Sequence, residues 1–231
     1  MAKGVIGVPC PVQGRWSSFY GCLEGLRRPP EWEVVQSRGL SVATNRNNIV
    51  ERALEIGAEH ILWLDDDLVF KPDVLEKLLK HNVDIVVGLT LGRHPPFDPL
   101  WFQGIHESLL IPVDNMSVSR NGLKELHSCT SGGMLTRASI FKKVSRPWWA
   151  LGTCVADGFY EDIYFCNVMQ NHGGFTVWGD PEAMFGHTTD VEVWPGKTKG
   201  GEWVKALART AGTRQTIIQA WPMEAVVTVP E

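Results

Sequence analysis

Long hydrophobic runs are absent from this 231-residue sequence. No apolar stretch approaches the roughly 20 residues that a bilayer crossing requires, and the longest, around Asp84 to Leu89, has the length of a strand. The N-terminus turns at Gly4, Gly7 and Pro9 before a signal-peptide core could form, so a cytoplasmic location with no membrane span is expected. A strong excess of one charge is also missing. The formal net charge is -4, and attraction to nucleic acid would need a local basic patch. Cysteine is sparse and unpatterned: Cys10, Cys22, Cys129, Cys154 and Cys166 form an odd set without a CxxC spacing or paired histidines beside them. Neither a disulfide framework nor a zinc cluster is signalled, which leaves mostly buried free thiols. Tyrosine is rare, at three residues, whereas tryptophan is abundant, at ten. Such a preference serves either core filling or a flat binding surface, and composition does not separate the two.

The remaining composition, 44% hydrophobic and 21% charged, is that of a globular chain with room for one sizeable core, and a single domain over 1–231 is expected. Val5 to Pro9, Trp32 to Gln36, His60 to Leu64 and Asp84 to Leu89 read as strands. Between them, Ser17 to Leu26, Ser41 to Ile56 and Pro72 to His81 have helical spacing, with Ser41 as N-cap, Gly57 as stop and Pro72 in a first turn. This alternation predicts an α/β fold with a mixed, mostly parallel central sheet. From Gly92 to Asn121, prolines 95, 96, 99 and 112 interrupt any period, and a long surface excursion is expected, of the kind that carries function. Cys129 to Thr136 and Phe175 to Trp178 read as further strands, Arg137 to Val144 and Tyr160 to Asn171 as helices. The tail from Trp194 carries Lys197, Lys199, Lys205, Arg209 and Arg214 against Glu202, either a solvated face or a cover over an anionic ligand.

The sharpest feature is Leu62-Trp63-Leu64-Asp65-Asp66-Asp67, in which three carboxylates directly follow a hydrophobic strand. On extended backbone Asp65 and Asp67 point to the same side, and the carboxyl ends of strands in an open α/β sheet face the ligand crevice. Like charges that close repel unless a cation sits between them. An oxygen-only cluster suits a hard ion such as Mg2+ or Mn2+, which shares its coordination sphere with phosphates and water. A solvated acidic turn capping the next helix uses the same residues and stays open at this point.

The surroundings of the acidic triplet extend the pattern. It is followed by Phe70-Lys71-Pro72-Asp73 and an amphipathic helix, and Ala43-Thr44-Asn45-Arg46-Asn47 opens the helix before it. Cys129 to Ala138 is a small-residue strand containing Gly132 and Gly133, Tyr160-Glu161-Asp162-Ile163 opens a helix that leads to Gly173-Gly174, and Met184-Phe185-Gly186-His187 comes after. In order and spacing this set resembles the GT-A fold glycosyltransferases, most closely those of family 2, over about residues 4–190. The resemblance implies a Rossmann-like nucleotide-sugar-binding domain. It implies transfer of a sugar from a UDP- or GDP-sugar to an acceptor hydroxyl, dependent on Mn2+ or Mg2+. Asp67 and His187 are then the expected metal ligands, with Asp65 as a further ligand or a ribose contact. Pro9, Arg46, Asn47, Asp65, Asp66, Gly132 and Gly133 are the expected donor-binding residues, with a pairing to an Asp of the triplet or a surface place open for Arg46, and a tight turn or bulge open for the two glycines. Asp162 takes the part of general base, with Glu161 orienting the acceptor or serving the helix end, and in-line attack assisted by one base inverts the anomeric configuration. The N-terminal end of a helix favours the ionised carboxylate that a base requires.

The acceptor stays open among small molecules, glycans, proteins and modified bases of nucleic acid. Arg93 to Gly122 matches no family segment, although acceptor specificity commonly resides there in such enzymes. Two other readings draw on the same residues. A Mg2+-dependent phosphohydrolase or nuclease would want further carboxylates at neighbouring strand ends. A carbohydrate-binding module would use Trp101, Trp148 and Trp149 as stacking faces. Those three, with Trp194, fall in irregular segments flanking the expected crevice, whereas Trp32, Trp63 and Trp178 read as sheet-packing residues and Trp16, Trp203 and Trp221 have no assignment.

Overall fold

A computed structural model describes residues 3–10, 17–39, 41–106, 109–119, 121–152, 160–188, 192–198, 200–211, 214–221 and 227–228. In chain order the elements are β1 (Gly4–Cys10), α1 (Ser17–Gly25), β2 (Trp32–Arg38), α2 (Val42–Glu55), β3 (His60–Trp63), β4 (Leu68–Phe70), α3 (Val74–Leu79) and β5 (Ile85–Thr90). They continue as β6 (Trp101–His106), β7 (Leu109–Pro112), β8 (Lys124–Leu126), β9 (Ser128–Cys129), β10 (Met134–Arg137), α4 (Ile140–Lys143) and α5 (Glu161–Asn171). The last are β11 (Val177–Thr188), β12 (Glu192–Thr198), β13 (Trp203–Ala211), β14 (Arg214–Trp221) and β15 (Val227–Thr228).

The expected α/β architecture is present. The main sheet runs in the order β14-β13-β12-β11-β5-β10-β3-β1-β2, with β4, β8 and β15 paired at its side. β1 lies parallel to β2 and β3, β5 lies parallel to β11, and β10 is antiparallel between β3 and β5. Beyond β11 the strands are antiparallel. Side-chain alternation assigns the two faces. Ile61 and Trp63 join Val5, Val87 and Met134 beneath α2 and α5, while Leu62 and Leu64 join Ile6, Val8 and Val86 beneath α1 and α3. Each fully buried side chain of this kind stabilises the fold by about 1.5–3 kcal/mol, so the layered core, rather than polar contacts at the strand ends, holds the scaffold. The start of α2 is fixed as expected: Ser41 Oγ accepts a hydrogen bond from the Thr44 amide at 3.2 Å, and Gly57 leaves the helix at φ +72°.

Several expectations are corrected. The stretch from Gly92 to Asn121 is not structureless: β6, β7 and β9 form a separate three-stranded sheet. Its alternation is broken by a register shift between Phe102 and Gly104, which hides the pattern from a reading by period. The Cys129 to Thr136 strand is two strands, with residues 130–133 turning between them. α3 is shorter than Pro72 to His81 and begins at Val74. β11 runs on past Trp178 to Thr188 because Asp180 to Met184 is a bulge in a continuing strand and not its end. The basic tail forms β12 and β13 on the sheet. There Lys197 pairs with Glu182 and covers the Trp203 ring, and Lys205 pairs with Asp98 at 2.8 Å. Lys199 and Cys154 lie outside the described residues, as do Trp16 and the side chains of Arg209, Arg214 and Trp221. Cys10, Cys129 and Cys166 are buried free thiols. No helix among the described residues is long and apolar enough to cross a membrane.

Candidate active site

The strand ends of the parallel half open into one cleft of about 300 Å3. Pro9 comes from β1, Asp65, Asp66 and Asp67 from the turn after β3, Thr90 from the end of β5, and Gly132 from the turn before β10. Arg46 enters from α2, Glu161 and Asp162 from the first turn of α5, and His187 from β11. Residues 66 and 67 form a turn, so the triplet does not continue the strand as extended backbone.

One end of the cleft is organised by Arg46. Its side chain is 1% exposed, because α2 packs flat on β1 and aims the guanidinium along the strand ends. Nη2 donates to Asp65 Oδ1 and Oδ2 at 2.9 and 3.2 Å. Nη1 donates to Glu161 Oε1 at 3.0 Å and Asp162 Oδ1 at 2.5 Å. Burial disfavours the charge of Arg46, but Asp162, Asp65 and Glu161 together outweigh it and raise its pKa. For Asp162 burial wins: it pushes the carboxyl up to about 6, opposed by Arg46 and helped by the neighbouring charges of Glu161 and Asp65. The helix N-terminus therefore does not dominate its titration, contrary to expectation. Gly132 makes room for this arrangement, since a Cβ there would lie 2.7 Å from Asp65 Oδ2. Gly133 adopts φ +80° against the Phe185 ring, so its role is to pass the backbone through a tight turn.

The other end is built on Asp67. Its Oδ2 lies 3.5 Å from His187 Nε2 and 2.7 Å from Arg93 Nη2. Burial raises the Asp67 pKa, but His187 and Arg93 outweigh it and hold the carboxyl below its ordinary value. His187 Nδ1 donates to the Leu91 carbonyl at 3.0 Å, which orients the ring and leaves Nε2 as the atom facing Asp67. With the ring neutral both facing atoms are acceptors, and a cation at that oxygen, Arg93 in this structure, relieves their opposition. A nitrogen and a carboxylate oxygen suit Mn2+ or Mg2+. Among the described residues no group of three or more His, Cys, Asp and Glu is arranged to hold a metal by itself, so phosphate and water oxygens would have to complete the sphere. Thr90 Oγ1 lies nearby in the cleft wall, buried and without a hydrogen-bond partner among the described residues.

Comparisons with known proteins bear on the family and the fold. The pattern of the family described as "Glycosyl transferase family 2" matches residues 23–145, more than half of the chain. This chain belongs to glycosyl transferase family 2. Among solved structures, A197 from STIV is similar over 93% of this chain and 97% of its own, at 14% identity and a TM-score of 0.60, which is a likeness of fold. TarS of S. aureus is similar over 78% of this chain and 36% of its own, at 15% identity and a TM-score of 0.44. Its 1-349 segment is similar over 78% and 60%, at 14% identity and 0.44. No curated protein sequence matches the chain.

In this family 2 glycosyltransferase, Glu161, Asp162 and His187 lie beyond the matched stretch, and only the fold brings them to Asp65 and Asp67. Asn47 is not brought to the cleft. Its amide is buried, donates to the carbonyls of Ala43 and Trp149 at 2.8 and 2.7 Å, and accepts from the Trp148 amide at 3.0 Å. It therefore clamps the 148–149 segment rather than a ligand. The tryptophans are corrected too: Trp101, Trp148, Trp149 and Trp194 are all buried. Trp149 stacks on Phe165 at 4.3 Å, and Trp101 and Trp194 fill the space left by Gly179 and Gly186. None of these indoles presents a face to a sugar, which removes the basis of the binding-module reading. Sequence pattern alone does not mark Arg93 and Thr90 as site residues. The available signal was position, since both follow the apolar run of β5 at its carboxyl end.

A larger cavity of about 710 Å3 lies behind the cleft wall. Thr90 and Leu100 face the cleft, whereas Leu89, Leu91 and Pro99 face this cavity, as alternation along paired extended segments requires. It is mainly apolar, with Trp203 and the Asp98–Lys205 pair in its lining.

Proposed function

We propose that this chain is a metal-dependent, inverting glycosyltransferase, built as a single GT-A domain, that moves a sugar from a UDP- or GDP-sugar to an acceptor hydroxyl. The observation that carries the reading is the convergence of Asp65, Glu161 and Asp162 on Arg46 opposite the facing pair of Asp67 and His187. A hydrolase using two metals would need its later carboxylates free, and here they are committed to a guanidinium.

Asp67 and His187 would hold Mn2+ or Mg2+, which when bound neutralises charge developing on the leaving diphosphate. Asp65 has both oxygens on Arg46, which supports a donor-side contact in place of metal ligation. Asp162 accepts the proton of the attacking hydroxyl, and a carboxyl pushed up to about 6 is a stronger base than an ordinary aspartate while still ionised at neutral pH. Glu161 shares the guanidinium and orients the acceptor beside it. Pro9, Asp66 and Gly132 border the donor, Gly133 shapes the turn that presents Gly132, and Arg46 positions the carboxylates.

Incubation with Mn2+ and each of a panel of UDP- and GDP-sugars, with candidate acceptors, tests this. Metal-dependent release of nucleoside diphosphate and a glycoside of inverted configuration by NMR are expected. A product of retained configuration would remove Asp162 from its role.

A further inference from the structure

We propose that Arg93 is a resident counter-ion at the metal position and the first receptor for the donor's diphosphate, so that nucleotide entry uncovers Asp67 for the metal. This rests on the metal-dependent reading of the cleft. Arg93 Nη2 lies 2.7 Å from Asp67 Oδ2, the same oxygen that faces His187 Nε2 at 3.5 Å. An oxygen already neutralised by a guanidinium attracts a divalent cation weakly, and two cations at one oxygen repel each other. A diphosphate presents the guanidinium with the paired oxygens that a carboxylate offers, at higher charge, and is the stronger bidentate partner.

The surroundings of Arg93 fit such an exchange. Its side chain is 46% exposed at the cleft mouth, while the backbone that carries it is held firmly. Gly92 donates its amide to the Asp98 carbonyl at 2.9 Å, Leu91 is bridged to Pro99, and Lys205 ties Asp98 to β13 at 2.8 Å. A fixed base under an exposed head lets the guanidinium pivot between Asp67 and an incoming phosphate. Arg46 has no such freedom, being buried among three carboxylates. The same short segment orients the other facing atom, because the Leu91 carbonyl holds His187 Nδ1. Residues 91–93 thus aim one candidate ligand and cover the other.

The test measures binding by the full chain without turnover. Mn2+ alone is titrated by electron paramagnetic resonance, and UDP and GDP alone by calorimetry, for the wild type, Arg93→Gln and Arg93→Lys, with Asp67→Asn as control. Arg93→Gln is expected to bind Mn2+ alone about 5-fold or more tighter and the nucleoside diphosphate about 5-fold or more weaker, opposite changes of the size that coupled sites show. Arg93→Lys, which keeps the charge without the fork, should fall between. A residue that only shapes the loop would weaken both or neither, so unchanged or weaker Mn2+ binding by a normally melting Arg93→Gln protein overturns the proposal and leaves the cleft reading intact. If the wild type binds no Mn2+ even with nucleoside diphosphate, or Asp67→Asn binds it equally well, both fall together.

Discussion

At one end of the cleft a guanidinium that is almost wholly buried holds three carboxylates, and at the other Asp67 divides one oxygen between a half-exposed arginine and a histidine. The first end is closed: one buried guanidinium ties three carboxylates, with a surplus of negative charge, and its members come from α2, the turn after β3 and α5. The second is open, with Arg93 pairing with Asp67 from the exposed mouth while His187 Nε2 faces the same oxygen. A rigid end can keep a base in place through many turnovers, and an under-satisfied end can take up and release an ionic ligand. Burial and pairing thus separate positioning from exchange within one small cleft.

Breaking the closed end should have the largest effect. Arg46→Met leaves the half-buried Asp65, Glu161 and Asp162 without their partner, and a loss of up to about 3–5 kcal/mol is expected, read as a fall in the urea midpoint together with loss of transfer. Next comes Asp162→Ala, for which a drop of about 10²–10⁴-fold in kcat with donor affinity little changed is expected from removal of a general base. At the open end His187→Ala should weaken Mn2+ binding in the presence of nucleoside diphosphate by at least the roughly 10–100-fold that loss of a group merely supporting a ligand costs, while Asp162→Ala should not. That pair of results would separate the two ends cleanly; equal metal loss in both variants would merge them.

The two ends should also titrate in opposite senses. Asp162 is raised from 3.8 to about 6, so the native state holds its proton more tightly than the unfolded chain does. Its contribution to stability therefore declines as pH rises through the window from 3.8 to about 6. Asp67 is lowered from 3.8, so its contribution is present above that value and is lost as pH falls through its depressed pKa. In activity, kcat/KM is expected to fall about tenfold per pH unit below the Asp162 pKa, and Asp162→Glu should move that acid limb. The smallest effect is expected from Gly132→Ala, whose Cβ would press on Asp65 Oδ2. A few-fold rise in donor KM with unchanged melting would show that the closed end tolerates little displacement.

Much of this could be read from the chain before its fold was known. Asp65 to Asp67 stood out because a buried strand rarely ends in three carboxylates, and α2 was bounded by Ser41 and Gly57. Glu161 and Asp162 were marked by their place at a helix start. The pairing of these residues through Arg46 was less accessible, since sequence spacing says nothing about which buried cation lies between acids far apart in the chain. The tryptophans misled for a related reason. Trp101, Trp149 and Trp194 stand beside turns or prolines in the sequence, yet glycines of β11 leave the space that buries two of them, one from the adjacent strand and one from the second sheet, and that complementarity exists only in the fold. Asn47 looked like a ligand contact by position, and its amide is taken by backbone far along the chain.

The Thr188 amide donates to the Asp67 carbonyl at 2.8 Å, and His187 is in register with Leu68. The backbones that carry Asp67 and His187 are therefore stitched directly to each other, as the two jaws of a caliper share a hinge pin. The spacing of these backbones is inherited from strand pairing, whereas the His187 ring and the Asp67 carboxylate are also held by residues 91–93. A change of side chain at the cleft mouth can alter what is admitted while the backbones of the two jaws keep their gap.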